Sequence, residues 1–316
     1  MLNEKGVLLA QHPYISIIKE QIMGVINSLI TGLSLGSVYA IIALGYTMVY
    51  GISKMLNFAH GDVIMVGAYI SFLLTNHAGM NAWVSLLIAI AVCTVLGMLI
   101  ERLAYRPLRG TGSLAVLITA IGVSYFLQNA ALLLWGADPR MFNSIFGGFK
   151  TIHLADGALT ITPESMFTIL ANIIIMIALT LFVSKTKAGK AMRAVSEDNG
   201  AAQLMGINVN QSISLTFAIG SGLAAIAGVL MCSAYPVLIP TTGAMPGIKA
   251  FTAAVFGGIG SIPGAMIGGL ILGIIEIFSR AYISSELADA IVFACLIIVL
   301  LIKPTGLLGK KVSEKV

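Results

Sequence analysis

The 316-residue chain is 58% hydrophobic and only 10% charged, with a formal net charge of +5. Soluble domains carry about 25% charged residues, so this composition excludes a soluble globular protein. The apolar runs are continuous and approach the roughly 20 residues of a membrane-crossing helix, which also excludes the ~10-residue alternating segments of a barrel. The positive balance reads as basic cytoplasmic loops and implies no nucleic acid partner.

Glu4, Lys5, His12, Pro13, Lys19 and Glu20 interrupt the first 20 residues, so no cleavable secretory leader is expected there. Residues 1–21 form an N-terminal segment. Apolar segments follow at about 22–50, 59–75, 82–101, 113–135, 166–184, 212–235, 247–260, 263–281 and 286–303. They define a transmembrane domain over 22–303 of about 8–10 spans, and a basic tail occupies 304–316. The expected fold is all-α: a polytopic transmembrane helical bundle with broken helices in two repeat-like halves.

Charge sets the orientation. Segments 101–112 (Arg102, Arg106, Arg109) and 185–211 (Lys185, Lys187, Lys190, Arg193), with Lys303, Lys310, Lys311 and Lys315 near the end, hold eleven of the 18 basic residues. The positive-inside rule puts all three in the cytoplasm, C-terminus included. Segment 136–165, with Trp135 at its edge and a turn-prone Asp156–Gly157, then lies outside. Segment 22–50 would be about 43 Å long as a helix. It is either one tilted helix or two broken pieces. Gly32, Gly36 and Gly45 as bending points, and the preference of Lys5 and Lys19 for the inside, favour two pieces and a cytoplasmic N-terminus.

Interrupted hydrophobic segments recur in the two halves, at 55–61 (MLNFAHG) and 245–251 (MPGIKAF), a pattern that marks a substrate path at a repeat interface. Asn57, His60 and Gly61, with Pro246, Gly247, Gly257 and Gly258, are the candidate path residues. For Asn57, His60 and Asp62 the favoured reading is a polar turn that caps the following helix, with lining of the path as the alternative. Glu276 and Arg280 share a helix face at i, i+4 and are expected to neutralise each other within the membrane. Ser28/Gly32/Gly36, Gly264/Gly268 and Gly269/Gly273 present small faces for close helix packing. Cys93, Cys232 and Cys295 have no ligand spacing, and the four His are scattered, so no metal or other cofactor is expected.

The loop at 257–263 (GGIGSIP) lacks the Lys-Ser/Thr of a phosphate loop, and no such loop occurs elsewhere. No Ser–His–Asp or Cys–His set can be assembled, so the chain is not read as an enzyme. Against this background the polar island at 185–211 looks like a handle for another protein. It ends in Ala201, Ala202 and Gly206, the pattern A-A-x-x-x-G.

The runs at 32–51 (GLSLGSVYAIIALGYTMVYG), 56–62 (LNFAHGD), 246–269 (PGIKAFTAAVFGGIGSIPGAMIGG) and 189–208 (GKAMRAVSEDNGAAQLMGIN) resemble the high-affinity branched-chain amino acid permeases of bacterial ABC importers. The likeness covers residues 22–310 in order. It implies a multi-pass inner-membrane subunit that works with two cytosolic ABC ATPase subunits, a second permease subunit and a periplasmic amino-acid-binding protein. It also implies an ATPase-coupling helix around 193–206, with Arg193, Glu197, Asp198, Ala201, Ala202 and Gly206 as contacts. Gly200 stands where the loop pattern of such importers has Glu, and Glu197 or Asp198 is the candidate replacement. Relatives of similar sequence handle urea, amides or other amino acids, and an ion-gradient-driven secondary transporter is the alternative from another class.

Overall fold

The computed structural model describes residues 13–154 and 158–309, with side chains from Glu20 onward. Lys5, the Asp156–Gly157 turn and the tail lysines Lys310, Lys311 and Lys315 lie outside the described residues, as does the side chain of Lys19. The helices are α1 (Pro13–Ser53), α2 (His60–Asn76), α3 (Ala82–Ile100), α4 (Ser113–Trp135), α5 (Pro163–Lys185), α6 (Lys187–Glu197), α7 (Asn199–Leu204), α8 (Val209–Ala234), α9 (Ala244–Gly257), α10 (Ile262–Tyr282) and α11 (Ala288–Ile302). A π-helical turn (Glu101–Tyr105) and a 3-10 turn (Arg106–Leu108) continue α3. Short strands β1 (Arg140–Met141), β2 (Ile152–Leu154), β3 (Leu159–Ile161) and β4 (Val237–Leu238) pair antiparallel as β1–β4 and β2–β3. Six of the helices are long and apolar enough to cross a membrane among the described residues. The protein is a polytopic helical bundle.

α1 is one uninterrupted helix of 41 residues, about 61 Å long. The expected break is absent, and the glycines read as hinges serve close approach instead. A Cβ on Gly32 would lie 2.9 Å from the Ile274 Cα, and one on Gly36 would lie 2.8 Å from the Leu270 Cα. The Gly32/Gly36 face of α1 thus meets the Gly269/Gly273 face of α10 with backbone nearly touching backbone. Helices in lipid gain no hydrophobic advantage from association, so tight van der Waals contact between small residues supplies much of the attraction.

α8 is the central post. It is buried along most of its length and packs on α1, α2 and α3. Cys93 and Cys232 are buried among these helices as small apolar side chains. α4 and α5 lie at the periphery and expose Leu114, Ile118, Phe126, Leu133, Ile174 and Leu181. The bundle has two distinct ends. At the basic end, Lys54, Arg109 and Asn199 line one cavity. At the opposite end the β2–β3 hairpin lies against α1, where Asn27 Nδ2 donates to the Ala158 carbonyl at 2.8 Å.

Candidate functional site

Two short helices begin inside the bundle and run in opposite directions. α2 starts at His60, whose ring lies so close to α1 that a Cβ on Gly45 would meet its Nε2 at 2.5 Å. Gly45 is eight residues before the basic end of α1, so the start of α2 is sunk about 12 Å inside that end. From there α2 runs to the hairpin end, where Asn143 Nδ2 donates to Asn76 Oδ1 at 3.1 Å. α9 starts beside the start of α2 and runs the other way, toward the basic end. Its N-terminal glycines make the contact: a Cβ on Gly61 would lie 2.7 Å from the Gly243 carbonyl oxygen, and one on Gly247 would lie 2.8 Å from the Gly61 Cα.

Turn bonds already engage most first-turn N–H groups, among them His60 on the Asn57 carbonyl and Ala244 on the Thr241 carbonyl, but both helices still point the positive ends of their dipoles at this junction. Pro246 sits in the first turn of α9, where a missing N–H removes no helical bond. Aromatic rings wall the junction. Tyr46 packs edge-on to His60 at 4.6 Å and to Phe251 at 5.7 Å, and Phe58 lies 5.5 Å from Phe251. Asp62, in the first turn of α2, accepts a 2.9 Å bond from Gln128 Nε2 of α4. Chemically, two converging positive dipole ends favour an anionic group such as a carboxylate. In this conformation the glycine contact closes it.

Of the residues read from the sequence, Asn57, His60, Gly61, Pro246 and Gly247 come together here. Gly257 and Gly258 do not. They lie at the basic end of α9, in the turn to α10, where Gly258 takes the left-handed φ of 106°. The segment after α11 folds back onto them, with the Leu308 N–H donating to the Gly257 carbonyl at 2.8 Å. Those two glycines shape a turn remote from the junction. Tyr46 and Phe251 escaped the sequence reading, although both sit in the glycine-rich runs that carried it.

A second buried constellation surrounds Glu276, which is fully buried. Arg280, one turn on, pairs with its carboxylate. The sequence reading stopped at that pair. Lys249 Nζ also reaches Glu276 at 2.8 Å, and Tyr39 donates its hydroxyl to the second carboxylate oxygen at 2.9 Å. Lys249 further pairs with Asp289 at 2.6 Å. Two cations and two anions therefore tie α9, α10 and α11 together, with the α1 tyrosine closing the set. The partners lie 27 and 237 residues from Glu276 in sequence, beyond any local spacing rule.

At the basic end, 185–211 forms two helices where one was expected. Thr186 caps α6 by accepting from the Gly189 N–H at 3.0 Å. Asp198 then breaks the run and caps α7, accepting from the Gly200 and Ala201 N–H groups at 2.8 and 3.0 Å. α6 turns Met192 and Val195 into the bundle and leaves Arg193 and Glu197 exposed. On α7 the small Ala202 is buried and Ala201 is exposed, and Gly206 ends the element with a φ of 80°. Leu204 and Met205, passed over in the sequence, are 89% and 82% exposed. Large apolar side chains this exposed, on a polar element outside the apolar spans, suit a protein partner. Beside α7 opens a cavity of about 390 Å³, with Tyr50, Lys54, Arg109, Thr111 and Asn199 in its wall. Burial pulls Arg109 below its ordinary pKa, and Glu101 acts against that shift.

The family model described as branched-chain amino acid transport system / permease component matches residues 28–300. The high-affinity branched-chain amino acid transport system permease protein LivH of Escherichia coli K12 is 47% identical, over 94% of this chain and 99% of its own length. BraD of Pseudomonas aeruginosa, a permease protein described in the same words, is 45% identical over 92% of this chain and 98% of its own. A solved structure, PsaBC from Streptococcus pneumoniae in complex with Fab, superposes with a TM-score of 0.47 at 15% identity, covering 88% of this chain and 91% of its own. With a family match across nearly all the apolar segments and close relatives over almost its full length, the chain belongs to the branched-chain amino acid transport permease family.

Proposed function

We propose that this chain is one permease subunit of a bacterial ABC importer and carries branched-chain amino acids across the inner membrane. Energy comes from two cytosolic ATPase subunits, cargo from a periplasmic amino-acid-binding protein, and the second half of the pore from another permease subunit. The observation that carries this reading is the α6–α7 element: a polar, capped pair of helices at the basic end that offers exposed Leu204 and Met205. Its basic residues support a cytoplasmic position by the positive-inside rule, where such a surface would meet an ATPase. Arg193, Glu197, Asp198, Ala201 and Gly206 supply the rest of the contact, whereas Ala202, read from the sequence as a contact, is buried and seats α7 on the bundle instead. Because the Asp198 carboxylate caps α7, Glu197 is the better candidate to replace the missing glutamate at Gly200.

Movement of α6–α7 would separate α2 from α9 and open the glycine junction. The two helix N-termini then face the cargo carboxylate, and the Tyr46, Phe58 and Phe251 rings face its aliphatic side chain. Glu276, which a gradient-driven carrier would be expected to use, is occupied by Lys249, Arg280 and Tyr39. Substrate class is tested by uptake of labelled leucine, isoleucine, valine and urea into proteoliposomes holding the assembled transporter and its binding protein. Uptake of the three amino acids, each suppressed by the others and none by urea, is the expected result. Urea uptake without leucine uptake would reject the substrate assignment.

A further inference from the structure

A line of polar groups runs from the first turn of α8, where Asn210 is exposed, through half-buried Arg109 and Ser214 to buried Glu101, Tyr105 and Asn57 at the chain break before α2. Asn210, in the first turn of α8 and four residues past Gly206, accepts from the Arg109 guanidinium. Arg109 also pairs with Glu101, which accepts the Ser214 hydroxyl of α8 as well. Glu101 is fully buried and opens the π-helical turn, which the Arg106 N–H closes on the Glu101 carbonyl. The turn carries Tyr105, also fully buried, whose hydroxyl donates to Asn57 Oδ1 at 2.9 Å. The Asn57 carbonyl in turn accepts the His60 N–H at 3.1 Å, and His60 and Gly61 open α2 at the glycine junction.

Stability does not call for this arrangement. A buried ion pair gains little over well-packed apolar side chains of the same volume, because both ions must be desolvated. π-Helical turns are rare and gather at functional positions, where the wider turn re-aims a side chain. Here the turn sits between an acid bonded to α8 and a tyrosine bonded to the break before α2. Every step of the line is a hydrogen bond, an ion pair or one helical turn, and it adds a polar route beside the direct packing of α8 on α2.

We propose that this line carries movement of the α6–α7 element to the start of α2, with Tyr105 as the positioning residue that holds Asn57. The proposal rests on the importer reading above. Tyr105→Phe removes one oxygen and keeps the ring, which packs on Phe217 at 5.2 Å. ATP hydrolysis and leucine uptake are measured together in proteoliposomes of the complete transporter. Uptake per ATP should fall about fivefold, within the range by which single positions alter coupling, while hydrolysis persists. Glu101→Gln should lower the same ratio. Asn57→Ala combined with Tyr105→Phe should lower it no further than Tyr105→Phe alone.

A purely structural role would reduce uptake and hydrolysis together through loss of folded protein. An unchanged ratio in Tyr105→Phe and Glu101→Gln therefore overturns the proposal. Absence of ATP-driven uptake in the unaltered transporter would instead overturn the importer reading, and the relay with it.

Discussion

Glu276 shows how a charge survives in an apolar interior. Its carboxylate is fully buried and shared by two cations and a tyrosine hydroxyl, so no single partner is indispensable. Lys249→Met leaves Arg280 in place, and Arg280→Met leaves Lys249. Each should cost only about 1–2 kcal/mol in denaturant unfolding of the detergent-solubilised protein, within the ordinary range for a single substitution. The double substitution strands the acid, and removing all compensation from a buried charge costs roughly 3–5 kcal/mol. Adding Glu276→Gln should then restore most of that loss, because a neutral amide needs no counter-charge. Strict additivity of the two single effects, with no rescue, would show that the cations stabilise the protein independently of Glu276.

Among the elements, the α6–α7 pair is plain in the sequence as a polar island but not as two helices. Its polarity stands out in an apolar chain, so its existence was plain from composition. Its division at Asp198 depends on a side chain bonding to the next backbone N–H groups, a local signal that D-N-G-A does carry but that the longer helical pattern masked. α1 failed in the opposite sense. Its glycines suggested bends because their partners, Gly269 and Gly273, lie more than 200 residues away in α10. Leu204 and Met205 give this scale its test. Replacing both with Ser should leave membrane insertion and folding intact, since neither packs into the bundle. ATPase co-purification should fall at least about tenfold, the loss expected when central apolar anchors leave an interface. Undiminished co-purification would place the docking surface elsewhere.

Across the whole molecule, the two interrupted segments at 55–61 and 245–251 become α2 and α9, which start together and leave in opposite directions. The sequence showed the interruptions but not their meeting, because only the fold brings Gly61 to Gly243. It likewise showed one pair at Glu276 where four charges gather, since Lys249 and Asp289 arrive from other helices. What local pattern carries was readable; what long-range packing decides was not. The central claim is that this bundle moves cargo only when a separate ATPase works on α6–α7. Its most direct test is leucine uptake by proteoliposomes that hold the assembled transporter and its binding protein. Uptake is measured with ATP, with the same concentration of a non-hydrolysable analogue, and with a proton or sodium gradient alone. Uptake with ATP only is the predicted result, whereas uptake driven by the gradient without ATP would contradict it.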